Sequence, residues 1–107
     1  MQVGIGVPNT LHGADRQLLL TWAERADDGP FTSLGVFDRL RYHGLDPLAT
    51  LSTCAAVTED VELATSIVAG PLRRDAMLAK KAATVDVVSD GRLTLGMALG
   101  ARRDDYE

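Results

Sequence analysis

The sequence has one cysteine, little basic charge and no long apolar run, and each shortage excludes a class of protein. Cys54 has no partner for a disulfide within the chain, and the apolar residues around it predict a small buried side chain. No stretch approaches the roughly 18 apolar residues of a membrane-spanning helix. The first residues lack the basic and apolar regions of a signal peptide. We therefore expect a cytoplasmic protein with no membrane partner.

Basic residues are outnumbered by acidic ones, 11 against 15, which gives a net charge of -4. Nucleic-acid binding needs a concentrated basic face. The densest basic group comprises Arg73, Arg74, Lys80 and Lys81, and such a run is more typical of a solvated surface. The charge balance therefore predicts no nucleic-acid partner.

The chain contains 107 residues, of which 46% are apolar, as in a folded globular domain. Its hydrophobic pattern alternates between the strand period of two and the helix period of 3.6. Strands are predicted over residues 3–7, 31–38, 61–69 and 92–99. Helices are predicted from Asp15, from Pro47 after an Asp46 N-cap, and after an Asp75 N-cap.

Strands that alternate with helices of this length indicate a parallel sheet with right-handed crossovers. An open doubly wound sheet and a (β/α)8 barrel both fit this order. The turn after the first strand, in "GIGVPN", lacks the G-x-G-x-x-G phosphate motif, which favours the barrel. A complete barrel takes about 250 residues. The sequence therefore predicts an α/β fold that is the amino-terminal half of a barrel, with four parallel strands and three crossover helices.

Polar residues follow the strands at the carboxyl edge, where active sites of parallel folds lie. Asp38 ends the second strand, either as a ligand-binding carboxylate or in a local ion pair or cap. His43, in the next loop, is either a general acid or base or an exposed loop histidine, and the same choice applies to His12. Two histidines without a further ligand cluster predict no metal site.

Glycines interrupt the last strand, in "SDGRLTLGMALG". A strand glycine marks a bulge or the close approach of a ligand or of another backbone. Gly96 and Gly100 therefore either admit a flat ring system or relieve crowding inside a small barrel. Periodicity leaves both interpretations open.

Several segments together resemble the bacterial luciferase-like flavin-dependent oxidoreductases. The matching stretches are "LGVFDRLRYHGLDPLATLSTCAAVTE", "VELATSIVAGPLRRDAMLAKKAATVDVVSDGRLTLGMALG" and "ARRDDYE", with "AKKAATVDVVSDGRLTLGMALG" the most specific. The resemblance implies a (β/α)8 barrel that binds FMN or the deazaflavin coenzyme F-420. It also implies one partial domain over residues 1–107, truncated after the fourth strand.

The resemblance also implies roles for single residues. Asp38 matches an acidic residue that faces flavin or substrate. The family often has histidine at the next position, where this chain has Arg39, so His43 becomes the candidate catalytic histidine. A non-proline cis peptide is implied between Ser66 and Ile67, behind the flavin ring. The implied cofactor-binding residues are Ser66, Ile67, Ala69, Gly70, Gly100 and Glu107.

The implied chemistry is hydride transfer or oxygen activation on a small organic substrate, with a flavin reductase as a possible partner. We expect the fragment to be inactive alone. The alternative hypothesis is a non-catalytic half-barrel module that folds, or forms a homodimer, without binding flavin. A response-regulator-like domain is a weaker alternative, since only Asn9 offers a polar side chain at the first strand edge before Thr10.

Overall fold

The computed structural model describes residues 1–39 and 43–99, in which strands and helices alternate. The strands are β1 (Gly4–Gly6), β2 (Ser33–Val36), β3 (Glu62–Thr65), β4 (Val68–Ala69), β5 (Leu93–Thr94) and β6 (Met97–Ala98). The helices are α1 (Arg16–Asp28), α2 (Pro47–Val57) and α3 (Asp75–Val88), with a short 3-10 turn at Gly70–Leu72. Within these described ranges, no helix is long and apolar enough to cross a membrane.

All strand pairs are parallel. The main sheet has the order β1-β2-β3-β5, and β4 pairs with β6 beside it. Strands β1, β2 and β3 lie side by side in chain order, and both segments of the next stretch, β5 and β6, pair with the segments β3 and β4 that precede them. A barrel has this sequential order, whereas a doubly wound sheet reverses direction at a switch point. The topology therefore favours the barrel interpretation.

The predicted third and fourth strands, 61–69 and 92–99, are each divided in two, which corrects the sequence prediction. The breaks lie at residues 66–67 and 95–96, opposite each other. Thr65 Oγ1 donates to the Gly96 carbonyl and accepts from the Gly96 N–H, both at 2.7 Å. The Val68 N–H then donates to the same Gly96 carbonyl at 2.8 Å. Paired breaks let the two broken strands remain parallel neighbours.

One of the two predicted helix caps is confirmed, since Asp46 accepts from the Ala49 N–H at 2.8 Å. Asp15, predicted only as the start of a helix, caps α1 by accepting from the Leu18 N–H at 2.8 Å. The Asp75 cap prediction is wrong, because α3 already includes Asp75 and Arg74 occupies the cap position without a side-chain hydrogen bond. An acidic residue in the first turn still interacts favourably with the helix dipole.

The hydrophobic core lies between the sheet and α1 and α2. It contains Leu34, Val36 and Leu63 from the strands, packed with helix residues such as Leu51 and Cys54. Cys54 is fully buried, as predicted, and burial raises the pKa of its thiol to about 11. A neutral thiol in this position packs as a small apolar group.

The opposite face of the sheet carries small side chains. Successive strand residues point to opposite faces, so residues between the core positions face away from the helices. Gly6, Gly35 and Ala64 pair across β1, β2 and β3 in one row. In the carboxyl half of these strands, this face is therefore almost bare backbone.

At the amino-terminal end of the sheet, the Asp27 side chain of α1 binds the backbone of the turn between α2 and β3. The Asp27 carboxylate accepts hydrogen bonds from the N–H groups of Glu59, Asp60 and Val61 at 2.9–3.0 Å. Burial by itself raises the pKa of Asp27, but these three donors and the charge of Arg92 outweigh it and lower the pKa. Asp27 thus anchors the turn as a carboxylate.

Arg92 holds the same turn from the side of β5. Its guanidinium donates to the carbonyls of Ala55, Thr58, Val61 and Ser89 and to the Thr58 hydroxyl, at 2.6–3.4 Å. Ser89 is fully buried, and its hydroxyl accepts from the Arg92 N–H. The S-x-G-R turn therefore satisfies carbonyls that α2 leaves unpaired at its end.

Candidate functional site

The carboxyl end of the sheet is organised around Asn9, which is fully buried directly after β1. Its side-chain amide donates to the carbonyls of Phe37 and Leu45 at 2.7 and 3.1 Å, and its Oδ1 accepts from the Phe37 N–H at 3.2 Å. Its backbone carbonyl accepts from the Leu45 N–H at 2.7 Å. One side chain thus holds the loops after β1 and β2 together.

Asp38 pairs with Arg73, a residue 35 positions further along the chain. Asp38 Oδ1 and Oδ2 accept from Arg73 Nη2 and Nε at 2.8 and 3.2 Å, and Oδ2 also accepts from the Ala69 N–H at 2.9 Å. The Asp38 side chain is only 5% exposed. The carboxylate therefore ties the end of β2 to β4, with its oxygens already occupied.

Arg73 reaches a second carboxylate, since its Nη1 donates to Asp46 Oδ1 at 2.9 Å. Burial alone would lower the pKa of Arg73, but its hydrogen bonds to Asp38 and Asp46 and their charges outweigh burial and raise it. Burial alone would raise the pKa of Asp46. The hydrogen bond from the Ala49 N–H, together with the hydrogen bond and the charge of Arg73, outweighs burial and lowers this pKa. The predicted solvated basic surface is thus wrong for Arg73, whose charge joins β2, α2 and β4.

The Ser66–Ile67 peptide bond is cis, which confirms the prediction made from the family resemblance. Both residues are exposed at the break between β3 and β4, and Ile67 is 41% exposed. Ala69 and Gly70, also predicted to contact a cofactor, are buried. Of the four predicted cofactor residues in this segment, Ser66 and Ile67 are therefore the accessible ones.

His43 and His12 come from different loops and stack on each other. Their ring centroids lie 4.3 Å apart with an interplanar angle of 23°, and both residues are exposed. Beside them, a concavity of about 350 Å³ is lined by Thr10, Phe37, Arg39 and His43. Two predicted candidates, Asp38 and His43, therefore lie in neighbouring but distinct surroundings, one buried in an ion pair and one open to solvent.

Gly96 serves the packing of the sheet rather than a ligand. A Cβ at this position would lie 2.5 Å from the Thr65 carbonyl oxygen, inside any normal contact. Of the two interpretations of the strand glycines, close backbone approach between strands accounts for Gly96. The predicted cofactor residues Gly100 and Glu107 lie outside the described residues.

Sequence reasoning missed two residues that organise this edge. The sequence indicates that Asn9 lies at the carboxyl edge of the first strand but gives it no role, and it predicts a surface position for Arg73. A polar residue shortly after the first strand is the available signal for Asn9. Arg73 carried no such local signal, because its partners come from distant segments.

Across residues 1–39 and 43–99, no group of three or more potential metal ligands is found.

The chain matches the family model of luciferase-like monooxygenases over residues 1–107. Among sequence relatives, the oxygenase component of a flavin-dependent trigonelline monooxygenase from Acinetobacter baylyi is 37% identical over 62 residues, which is 58% of this chain and 17% of the relative. An uncharacterised protein of Mycobacterium tuberculosis is 42% identical over 62 residues, which is 57% of this chain and 22% of that protein.

Solved structures confirm the half-barrel fold. Monooxygenase RslO1 from Streptomyces bottropensis superposes with a TM-score of 0.87 at 29% identity, over 99% of this chain and 35% of its own. The oxygenating constituent of 3,6-diketocamphane monooxygenase from Pseudomonas putida, in complex with FMN, gives 0.85 at 21% identity, over 99% and 32%. The coenzyme F420-dependent tetrahydromethanopterin reductase of Methanopyrus kandleri gives 0.80 at 24% identity, over 94% and 27%. The chain spans about a third of the length of these solved structures.

Proposed function

Because the chain belongs to the luciferase-like monooxygenase family, we propose that it forms the flavin-facing part of a flavin-dependent oxidoreductase acting on a small organic substrate. The observation that carries this proposal is the exposed Ser66–Ile67 segment, which lies beside the open row of Gly6, Gly35 and Ala64 at the carboxyl edge of the sheet.

The residues at this edge fit a flat ring system. A Cβ on Gly6 would meet no atom within 4 Å, and a Cβ on Gly35 would come no nearer than 3.9 Å, to Ser66 Cβ. The row formed by Gly6, Gly35 and Ala64 therefore presents open backbone beside Ser66 and Ile67. A planar aromatic ring can approach such a surface closely without displacing side chains.

We assign the ring to an FMN or to the deazaflavin coenzyme F-420, since one solved relative contains FMN and another depends on coenzyme F420. When bound, such a cofactor supplies hydride transfer or, for FMN, oxygen activation. The chain itself supplies the surface of Ser66 and Ile67, which orients one face of the ring and excludes water from it. Ala69 and Gly70 act behind this surface, as buried support.

Asp38 and His43 take different roles in this proposal. Asp38 has its oxygens occupied by Arg73 and Ala69, so it positions β4 rather than transferring a proton. His43 is exposed at the edge of the concavity. Imidazole groups serve as general acids and bases in enzymes, and His43 is the candidate for this role.

The chain spans about a third of its solved relatives, and we propose that the remaining barrel strands are required for turnover. A sequence relative is the oxygenase component of a flavin-dependent monooxygenase. By analogy, a separate flavin reductase is the proposed partner if the cofactor is FMN.

Titration of the 107-residue chain with riboflavin and with FMN, followed by flavin fluorescence, tests this function. Riboflavin lacks the phosphate, which later barrel strands usually hold, so we expect both compounds to bind this chain with similar affinity. Ile67→Asp places a charge on the ring-facing surface and is expected to weaken riboflavin binding at least about 10-fold, about 1.4 kcal/mol. The matched control is Val87→Asp on α3, where the side chain is 76% exposed. If Ile67→Asp, like Val87→Asp, leaves riboflavin binding unchanged, the flavin ring does not lie against Ile67.

A second candidate function is a half-barrel module that self-associates without binding flavin. Among residues 1–39 and 43–99, the outer strands β1 and β5 of the main sheet are each paired on one side only, and Met97 and Leu99, which follow β5 along the chain, are exposed. Unpaired edges and apolar side chains favour association with another copy. Light scattering that shows a dimer, together with no flavin binding, would favour this second function.

A further inference from the structure

Both ends of the Ser66–Ile67 segment are attached to one residue, Gly96, which lies between β5 and β6. Before the segment, the Thr65 hydroxyl donates to the Gly96 carbonyl and accepts from the Gly96 N–H, both at 2.7 Å. After the segment, the Val68 N–H donates to the same carbonyl at 2.8 Å. The two residues that flank the segment are thus bound to a single backbone unit of the neighbouring stretch of chain.

Thr65 occupies a position where the strand pattern favours an apolar side chain. In β3, Leu63 and Thr65 are buried and Ala64 between them is less buried, as the alternation of strand side chains requires. Thr65 is 4% exposed, and a buried hydroxyl costs free energy unless it is hydrogen-bonded. Because a hydroxyl donates and accepts at the same time, threonine satisfies both polar groups of Gly96, which valine of the same shape cannot do.

The Ile67 side chain packs against the same glycine. A Cβ on Gly96 would lie 3.4 Å from Ile67 Cγ2 and 2.5 Å from the Thr65 carbonyl oxygen, so Ile67 contacts bare backbone at this point. Towards β2, the Ser66 N–H donates to the Val36 carbonyl at 2.7 Å. The position of the exposed Ile67 side chain therefore depends on the position of Gly96, which the Thr65 hydroxyl fixes.

We propose that Thr65 is a positioning residue for the flavin ring, although its own side chain is buried and forms no part of the ring-facing surface. Its hydroxyl fixes Gly96 relative to β3, and Gly96 in turn fixes where Ser66 and Ile67 present their side chains. A surface binds a rigid planar ligand well when the residues behind it hold it in place. The inference rests on the proposed function, because it concerns the affinity of this surface for a flavin.

Thr65→Val tests the inference, and Thr65→Ser is the conservative variant. Valine keeps the shape of the side chain and loses its hydrogen bonds, whereas serine keeps the hydroxyl. We expect Thr65→Val to weaken riboflavin binding about 3- to 10-fold, the worth of about one hydrogen bond, and Thr65→Ser to stay within about 2-fold of the unchanged chain. Titrations followed by flavin fluorescence measure these affinities.

Thr58→Val is the matched control, because Thr58 is also a buried threonine, 6% exposed. Its hydroxyl donates to the Cys54 carbonyl at 2.8 Å and accepts from Arg92 Nη1 at 2.9 Å, at the opposite end of the sheet. Thr58→Val should therefore lower stability in urea as Thr65→Val does, but leave riboflavin binding unchanged. Equal weakening of riboflavin binding by both valine variants would assign the loss to general destabilisation and overturn the inference.

A second variant, Gly96→Ala, keeps the test decisive if Thr65→Val does not fold. The new methyl group would be placed against the Thr65 carbonyl and the Ile67 side chain. It therefore displaces the ring-facing side chain from the other partner of the contact, and riboflavin binding should weaken at least as much as expected for Thr65→Val. Riboflavin affinity that Gly96→Ala leaves unchanged would contradict the inference.

The outcomes separate this inference from the proposed function. If the unchanged chain binds riboflavin and folded Thr65→Val binds it equally well, the inference fails and the flavin function stands. A loss in Thr65→Ser as large as in Thr65→Val would also overturn it, since the hydroxyl would then not be the group that matters. If the unchanged chain does not bind riboflavin, the flavin function fails and this inference fails with it.

Discussion

The two ends of the sheet use polar side chains in opposite ways. At the amino-terminal end, Asp27 and Arg92 are directed at backbone groups of the turn between α2 and β3. At the carboxyl end, Asn9, Asp38 and Arg73 fix the loops, but His43 and the Ser66–Ile67 segment remain exposed next to them. The polar side chains at the amino-terminal end satisfy backbone groups and so stabilise the fold. Those at the carboxyl end fix loops whose neighbouring residues remain accessible to a ligand.

This difference indicates which substitutions should affect stability alone and which should also affect binding. In barrels, residues at the amino-terminal face serve stability and those at the carboxyl face serve catalysis. In this chain the contrast can be tested residue by residue, because each end contains a buried or half-buried arginine that joins several segments.

Arg92→Ala is expected to have the largest effect. It removes five side-chain hydrogen bonds, four to the end of α2 and the turn that leads to β3 and one to the Ser89 carbonyl, and we expect a loss of about 3–4 kcal/mol in the free energy of unfolding. Urea denaturation of the variant measures this loss, with the exposed Arg16→Ala as control. A cost below about 1 kcal/mol would contradict the stabilising role assigned to the amino-terminal end.

Gly96→Ala should cost about 2–3 kcal/mol, because the new Cβ would lie 2.5 Å from the Thr65 carbonyl oxygen. Gly6→Ala is the matched control, since its Cβ meets nothing within 4 Å and the change is expected to be within about 0.5 kcal/mol of neutral. Thermal unfolding of the two variants gives the comparison. Similar melting temperatures for both would show that the contact between the paired strand breaks is unimportant.

Arg73→Gln is expected to cost about 2–3 kcal/mol, because the Asp38 carboxylate then stays buried without its cation, while the Ala69 N–H of β4 still donates to it. The double variant Asp38→Asn/Arg73→Gln should recover part of this loss, as expected for a coupled pair. In contrast to Arg92→Ala, both variants should also weaken riboflavin binding, since β4 carries the support behind Ile67. If the two substitutions change the free energy of unfolding in urea additively, the Asp38 and Arg73 side chains are not energetically coupled.

Asp27→Ala has the smallest expected effect, about 1–2 kcal/mol near pH 7, and depends on pH. Burial raises the pKa of Asp27, but backbone donors and Arg92 outweigh it, so the folded pKa lies below 3.8. The contribution of this carboxylate is therefore complete above pH 3.8 and is lost as the pH falls through the lower folded value. Unfolding of wild type and variant at several pH values should show the difference shrinking in acid. A difference that is constant over this range would contradict the assigned role.

The sequence was sufficient to predict the parallel fold, because alternating strand and helix periods and the Asp46 cap with Pro47 after it are local signals. It also placed the cis Ser66–Ile67 peptide, through the family resemblance. The breaks in the third and fourth strands were not predicted. They depend on Thr65 and Gly96 meeting across 31 residues, and periodicity within one strand carries no information about its neighbour.

The candidate site was predicted less completely than the fold. Asp38 was placed correctly at a strand end, but its partner was not foreseen, because Arg73 lies 35 residues away in a run that looks like solvated surface. The stacking of His12 on His43 likewise depends on the loops that Asn9 joins. Long-range ion pairs and stacked side chains of this kind follow from the tertiary structure, so residue type and spacing alone do not reveal them.

The central claim is that a flavin ring lies against the exposed Ser66–Ile67 segment, and nuclear Overhauser effects between riboflavin and methyl groups test it most directly. The account predicts contacts between ring protons of riboflavin and the Ile67 methyl groups. It predicts none to the methyl groups of Val87, an exposed aliphatic residue on α3. Contacts to Val87 of equal strength, or bound riboflavin without contacts to Ile67, would contradict the account.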